Sequence, residues 1–481
     1  MSDRIKVSSP LIDPIYSQTD PSQPIDLGRV AVQFDYEGTT YKEMANVAMR
    51  FVPDDRLEFV CPLEDKSPMF GLGLFVDDGR DLKLTLTDRG ISFDVFCAAV
   101  GRDHNGIVFL PKKSGVMVTP PSNAISTVTF HLFNFPDFIG PEDYIFVTGE
   151  PPRQGGRRCG RVVLKADGWN ITVAATDRTD SITKALKAQG GYALTHMGRI
   201  AREDGSTFSS EQLDDLLSCL HYFFSFALGR WAGVALPIGF DAEGNKVFEQ
   251  WGLRITADGP WNGSSSWFDL HHGELLSQVF PGFLSLWTKQ LWRKPLSDAL
   301  YWYLGACDRR VGIGVDTGLI LAQTALELLA WTYCVLDRKM ISAAAFKLRR
   351  LSAADKLRLL TSSLNIPQEI PPNFSALHGR QGRKWMDGMD AITEIRNSLV
   401  HPDAETKLPD HSYYEGWKLS LWYLDLVLLR LCGHDGKYAN RLAQRWTGQV
   451  ESVPWAQNEA DKACSSPKDD TIVSESIRQA R

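Results

Sequence analysis

The chain has 481 residues, a net charge of −6 and a composition that is 43% hydrophobic, 11% aromatic and 23% charged. Such a length implies roughly two to four domains with sizeable cores, and the composition excludes a wholly disordered chain, a collagen-like repeat and a disulfide scaffold. The acidic balance excludes a generic polyanion binder, although a local basic patch can hide inside it.

Residues 1–28 read as an extended arm, because prolines at 10, 14, 21 and 24 and few apolar clusters oppose packing. The start carries neither the apolar stretch of a secretory signal nor the arginine-rich character of a transit peptide. From 29 to 150 the chain is rich in strand signals: RVAVQFDYEG, LEFVCPLED, GLGLFVDDGR, LKLTLTDRGISFDVFCAAV and STVTFHLFNF, punctuated by DDG, DRG and PPSN turns. Closely spaced short strands predict an antiparallel sandwich or barrel. The Gly/Arg/Pro-rich GEPPRQGGRRCG (149–160) reads as a boundary or an exposed loop. A second β-rich part, 151–285, contains one long helix over SSEQLDDLLSCLHYFFSFALGRW, capped by Ser209 or Ser210, and then a hairpin around DAEGN.

The texture changes near residue 283. Helical runs at 283–308, 313–338, 352–364, 382–400 and 413–432 predict a bundle over 286–446, and 447–481 is polar enough to predict a disordered tail. The run Gly318–Leu336 approaches membrane-spanning length, but Gln323 and Glu327 inside it favour a buried core helix. The fold class expected is α+β, a β-rich N-terminal region followed by an all-α bundle.

Eight cysteines form no CxxC pair, so zinc ribbons and thioredoxin-type motifs are disfavoured; reduced thiols and a cytoplasmic address are expected. Charge is uneven. Residues 338–384 hold ten Lys or Arg against two acids, whereas 385–481 hold eleven against fifteen. Lys347, Arg349, Arg350, Lys356, Arg358, Arg380, Arg383 and Lys384 form the basic block that would contact a phosphate backbone. The plainer reading is a solvated helix face.

The sharpest signal is KWMDGMDAITEIRNSLVHP (384–402). Trp385, Met389, Ile392, Arg396 and Leu399 fall at spacings of 4, 3, 4 and 3, the inward seam of an amphipathic helix. A guanidinium on that seam is costly unless paired or at an interface. Pro402 biases His401 away from the α region, so the helix is expected to end there, with the imidazole at the mouth of the bundle.

Arg396-Asn397-Ser398-Leu399-Val400-His401 resembles the RNxxxH form of the R-x(4–6)-H signature of the HEPN superfamily, helical-bundle domains many of which are metal-independent ribonucleases. ALYWYLGACD (299–308) and the following GLILAQTALELLAWTYCVL (318–336) look like that family's first two long helices, and the layout of β region then bundle resembles the ApeA type of anti-phage HEPN protein. The resemblance implies an endoribonuclease acting in defence or as a toxin, with Arg396, His401 and Asn397 catalytic and Glu327 supporting Arg396. It also implies cyclic-phosphate products and a homodimer through the bundle. RNA, with tRNA among the candidates, would be the substrate, with no metal or cofactor and no membrane. The β region would be the RNA platform or the sensor of a phage-derived trigger.

The residue types suit that chemistry. Metal-free RNA hydrolysis needs a base for the 2′-hydroxyl, an acid for the leaving 5′-oxygen and a cation for the phosphorane. Histidine can move those protons near neutrality and arginine grips phosphate bidentately. An Arg and a His at a helix end also occur simply as dipole or cap features. The alternative function is therefore a non-catalytic HEPN adaptor for RNA or nucleotide binding or dimerisation, with a ligand-binding β region. His271-His272 with Glu274 lacks the HExxH spacing of a zinc protease, and Gly312-Ile313-Gly314 reads as a helix entry. The tryptophans of 251–267 can stack on bases, but packing is the favoured reading.

Overall fold

Alternating buried and exposed residues between 25 and 111 close six antiparallel strands into a barrel: β1 (Ile25–Tyr36), β2 (Thr39–Arg50), β3 (Arg56–Pro62), β4 (Leu82–Leu86), β5 (Ile91–Gly101) and β6 (Gly106–Pro111), in the order β1-β2-β3-β6-β5-β4. Closure leaves no edge to protect. Val32, Phe34, Val47, Phe59, Leu84 and Phe109 are almost wholly buried, so side chains fill the interior. The structure is a computed structural model that describes residues 12–456 apart from 37, 53–54, 63–81, 102–105, 142–143, 149–152, 159, 177, 253–260, 262–264, 309–313, 383, 402–407, 409–410 and 444–445. The strand expected within 71–80 lies outside the described residues.

β7 (Gly115–Met117) and β8 (Thr127–Phe133) leave the barrel for a second sheet. The chain continues through β9 (Tyr144–Thr148), β10 (Arg153–Arg158), β11 (Arg161–Ala166), β12 (Trp169–Ala175), α1 (Thr179–Gln189), β13 (Leu194–Arg202), α2 (Ser210–Leu228), β14 (Val234–Phe240) and β15 (Lys246–Gly252). The sheet has seven antiparallel strands in the order β11-β12-β13-β8-β14-β15-β7. The expected division at 150/151 therefore runs through one sheet, since β8 is hydrogen-bonded to β13 on one side and β14 on the other. Linker-like composition suggested the cut, yet Arg153–Arg158 pairs with Tyr144–Thr148 in a separate hairpin. The hairpin expected at DAEGN joins β14 and β15.

Ser209 caps α2 in a reciprocal capping box with Gln212, an arrangement worth about 1 kcal/mol. Leu213, Leu217, Leu220, Phe223 and Phe224 of α2 share a core with Val128, Phe130, Ile171 and Ile200 of the sheet. Phe133, Leu194, Leu236 and Trp251 turn instead into the barrel's core. The sheet thus joins barrel to bundle.

The N-terminal arm is docked where it is described. The Tyr16 hydroxyl donates to Glu249 at 2.6 Å, the Ser22 amide donates to the Tyr192 carbonyl at 2.7 Å, and Gln18 exchanges bonds with Tyr192 and Leu194. Prolines remove apolar packing from this arm, and polar bonds to the sheet replace it.

The bundle comprises α3 (Glu274–Trp287), α4 (Gln290–Cys307), α5 (Val315–Trp331) running into a π-helical turn (Thr332–Asp337), α6 (Ala343–Phe346), α7 (Ala353–Ser363), α8 (Ser375–His378), α9 (Gly388–Val400) and α10 (Ser412–Leu431). The helix Val315–Asp337 is long and apolar enough to cross a membrane, and here Leu319, Ala322, Leu326 and Leu329 are buried against α4, α7, α9 and α10. A short ladder of β16 (Lys437–Tyr438) and β17 (Glu451–Ser452) closes the bundle. Val453 and Trp455 are buried, and the Trp455 indole donates to the His434 carbonyl at 2.9 Å. Residues 447–456 are thus part of the packed domain rather than the expected tail, whose remainder lies outside the described residues. Trp251, Trp267 and Trp292 are core residues. None of the six described cysteines forms a disulfide.

Candidate active site

Helix α9 begins later than its sequence periodicity suggests. Asp387 is the N-cap, its carboxylate accepting the Asp390 amide at 3.0 Å, so Trp385 stands in the preceding turn. The Trp385 indole still reaches a buried place by donating to Glu394. Gly388 is required at the first position, because a Cβ there would meet the Tyr423 hydroxyl at 2.2 Å. Met389, Ile392 and Ile395 form the buried stripe against α5 and α10. Arg396 and Leu399 lie half-buried at its edge. The expected seam is thus shifted: Ile395 takes the deep position and Arg396 the rim.

The helix ends where Pro402 implied. His401 is the C-cap with φ −127° and ψ 73°, its amide donating to the Asn397 carbonyl at 2.7 Å and its side chain exposed. The Arg396 Nη1 donates to the exposed Asn397 Oδ1 at 3.2 Å, while its Nε is buried with no hydrogen-bond partner among the described residues. No carboxylate among the described residues lies in ion-pair reach of Arg396. Ser398 is a helix residue, its hydroxyl donating to the Ile395 carbonyl.

Glu327 does not hold Arg396. It is half-buried on α5 and accepts the Gln323 amide at 2.9 Å, one turn earlier on the same helix. The i−4 amide is nearer and needs no guanidinium to leave Asn397, so the expected pair does not form.

The basic block separates into two kinds of cation. Arg358 is tied to Asp355, Asp387 and Asp390 at 2.5, 2.6 and 3.0 Å, and Asp387 first, then Asp390, hold its pKa above the ordinary arginine value against the opposing cost of burial. Lys384 pairs with Glu394 at 2.9 Å. Both brace α9 rather than standing ready for phosphate. Lys347 and Lys356 lie over the rings of Trp331 and Phe346, and Arg349 and Arg350 are exposed in the turn between α6 and α7. Arg380 is half-buried just beyond α8, and Arg383 lies outside the described residues.

A polar cluster that sequence reading missed fills the bundle core. Asp425 on α10 accepts from Arg441 through both oxygens, at 2.6 and 3.0 Å, and from the Tyr303 hydroxyl at 2.7 Å. Arg441 also donates to Tyr303 and lies 3.9 Å from the Cys307 sulfur. Burial disfavours a charged Arg441, and Asp425 outweighs it, holding the guanidinium ionised. Asp425 was findable as a lone acid in LWYLDLVLL, the same signal that drew notice to Glu327. Elsewhere His272 links Glu274 at 2.8 Å to the Gly448 carbonyl at 2.9 Å. Among the described residues no group of three or more His, Cys, Asp or Glu is placed to hold a metal ion.

Models of the YopA central domain and the YopA C-terminal domain match residues 120–262 and 289–452. Over 358 residues the chain is 31% identical to the SPbeta prophage-derived uncharacterized protein YopA of Bacillus subtilis (strain 168), covering 72% of this chain and 76% of that one. The chain belongs to the YopA family. The YopA central domain corresponds to the sheet from β8 to β15 with α1 and α2, and the YopA C-terminal domain to the bundle from α4 to β17. Arg396, Asn397 and His401 all lie in the latter, as do Asp425 and Arg441. No solved structure matches the chain.

Proposed function

We propose that the YopA C-terminal domain of this protein is a HEPN-type, metal-independent endoribonuclease that acts in the cytoplasm as an anti-phage or toxin effector. The observation that carries this reading is the end of α9. Arg396 stands half-buried with its Nε unpaired and no described carboxylate in reach, five residues before an exposed His401. An incoming phosphate would accept from the outer nitrogens of this guanidinium, which no described carboxylate neutralises.

In this mechanism His401 takes the 2′-hydroxyl proton, the 2′-oxygen attacks phosphorus, and the bond to the 5′-oxygen breaks as that oxygen gains a proton. The products are a 2′,3′-cyclic phosphate and a free 5′-hydroxyl. Arg396 stabilises the charge that grows on the phosphorane, and Asn397 positions the guanidinium. A second His401, from a homodimer through the bundle, would serve as the acid. Exposed Lys347, Arg349 and Arg350 suit the flanking RNA backbone. The barrel and central sheet would then be the trigger sensor or RNA platform. The prophage origin of the relative is consistent with phage–host conflict.

The second reading, a non-catalytic HEPN adaptor, is favoured by one observation: Glu327 is held by Gln323 and does not join Arg396. RNA cleavage by wild type, Arg396→Ala and His401→Ala, all with EDTA and with folding checked by circular dichroism, separates the two. The nuclease reading expects cyclic-phosphate ends from wild type and none from either folded variant. Equal cleavage by all three would put the activity elsewhere.

A further inference from the structure

A cleft of about 550 Å³ opens where the last turns of α1 and α2 meet the segment leading into α3. That volume lies within the range of small-ligand sites, roughly 300–1,000 Å³. Its floor is apolar, with Leu186, Leu228 and Phe268 buried. Trp261 forms a wall. Its amide donates to the Gly191 carbonyl at 2.9 Å, and its ring packs on the small cluster of Ile182, Leu186 and Ala193.

Two cations complete the lining, and no carboxylate among the described residues is part of it. Lys187 is exposed in the last turn of α1. Arg230 follows the α2 C-cap, donates to the Asn134 carbonyl, and places its guanidinium 5.4 Å from the Trp261 ring centroid. Both positive charges also suit the negative ends of the two helices. Helix dipoles explain the charges, but not a cleft walled by an indole beside a guanidinium. Flat rings stack on either surface, and guanidinium and ammonium groups together grip a phosphate.

We propose that this cleft binds a nucleoside monophosphate, its base against Trp261 and Arg230 and its phosphate between Arg230 and Lys187. The site uses none of Arg396, Asn397 or His401, so it stands or falls apart from the nuclease reading. Its place between α1 and α2 puts it on the central sheet, next to the helix that packs on α3 and α4.

Isothermal titration of the full chain with AMP, GMP, CMP and UMP tests the proposal, with adenosine and inorganic phosphate as the two half-ligands. At least one monophosphate is expected to bind one saturable site, each half-ligand at least tenfold more weakly. Lys187→Glu, a surface change, and Trp261→Ala, which lifts the half-buried ring from the Ile182 cluster, are each expected to weaken binding at least tenfold. Absence of saturable binding up to 1 mM for all four would overturn the proposal, as would binding unchanged in both variants. Phosphate alone binding as tightly as the nucleotides would refute the stacking half.

Discussion

Arg441 and Arg396 belong to the same bundle and meet opposite surroundings. Arg441 is buried and answered at once by Asp425, Tyr303 and Cys307. Arg396 is half-buried and, among the described residues, answered only by its neighbour Asn397. A charge deep in a core persists only when its partners neutralise it, so a closed cluster of this kind reads as architecture. A rim guanidinium whose buried Nε has no partner among the described residues lacks that closure. The polar groups of this protein thus sort by closure, and the open site is the one that resembles a catalytic one.

Removing one partner of the closed site should have the largest effect on stability. Asp425→Ala leaves Arg441 buried and uncompensated, with an expected loss of about 3–5 kcal/mol in urea unfolding. The double variant Asp425→Leu with Arg441→Met should recover most of that loss, because neither charge is then stranded. A double variant as unstable as the single one would show that packing around Tyr303, not ion pairing, dominates.

His131 extends the closed class to the junction of arm and sheet. It is fully buried, accepts the Tyr16 amide at 3.3 Å through Nε2, and contacts the Leu236 carbonyl through Nδ1, which fixes the tautomer. Burial pushes its pKa down to about 4. Since the folded value lies below the unfolded one, this histidine stabilises the fold above about pH 6.5, and that contribution drains away as pH falls toward 4. By pH 4 wild type should lose about 3 kcal/mol more than His131→Gln, relative to each protein at pH 7. Parallel pH profiles of the two urea midpoints would remove His131 from the closed class.

How much of this was legible in the sequence depended on whether a local pattern matched the tertiary demand. The α2 capping box, the β14–β15 hairpin and the stop of α9 at His401 were legible because each is set within a few residues. β2 was not, because TTYKEMANVAMR has the composition of a helix, and barrel closure between β1 and β3 makes it a strand. α1 is hard to see because TDSITKALKAQ is short and polar on average, with Ile182 and Leu186 its large apolar residues. The pairing of β8 with β13 and β14 spans long sequence separations that composition does not record. In the site, Arg396, Asn397 and His401 were visible as a motif. The partners of Glu327 and Asp425 depended on which helices meet.

Arg358 is an intermediate case, partly exposed but tied to three carboxylates. Truncating it strands Asp387, a buried acceptor that also caps α9. Arg358→Ala should cost about 2 kcal/mol and fray the start of α9, visible as faster amide exchange at Met389 and Ala391. A loss below about 0.5 kcal/mol would move Arg358 to the open class, where it would regain its place among the candidate RNA contacts.

The smallest stability effect belongs to the open site. Arg396 gives up a single hydrogen bond to an exposed Asn397, and its removal also relieves a desolvated Nε, so Arg396→Ala should change unfolding free energy by no more than about 0.5 kcal/mol. The same change should lower RNA cleavage by two to three orders of magnitude, the usual cost of removing a group that stabilises charge in the transition state. His401→Ala should match that loss with equally little effect on folding. The closed site would then answer for stability and the open one for activity. If Arg396→Ala instead destabilised the bundle by several kcal/mol, the guanidinium would be serving the fold and the adaptor reading would gain.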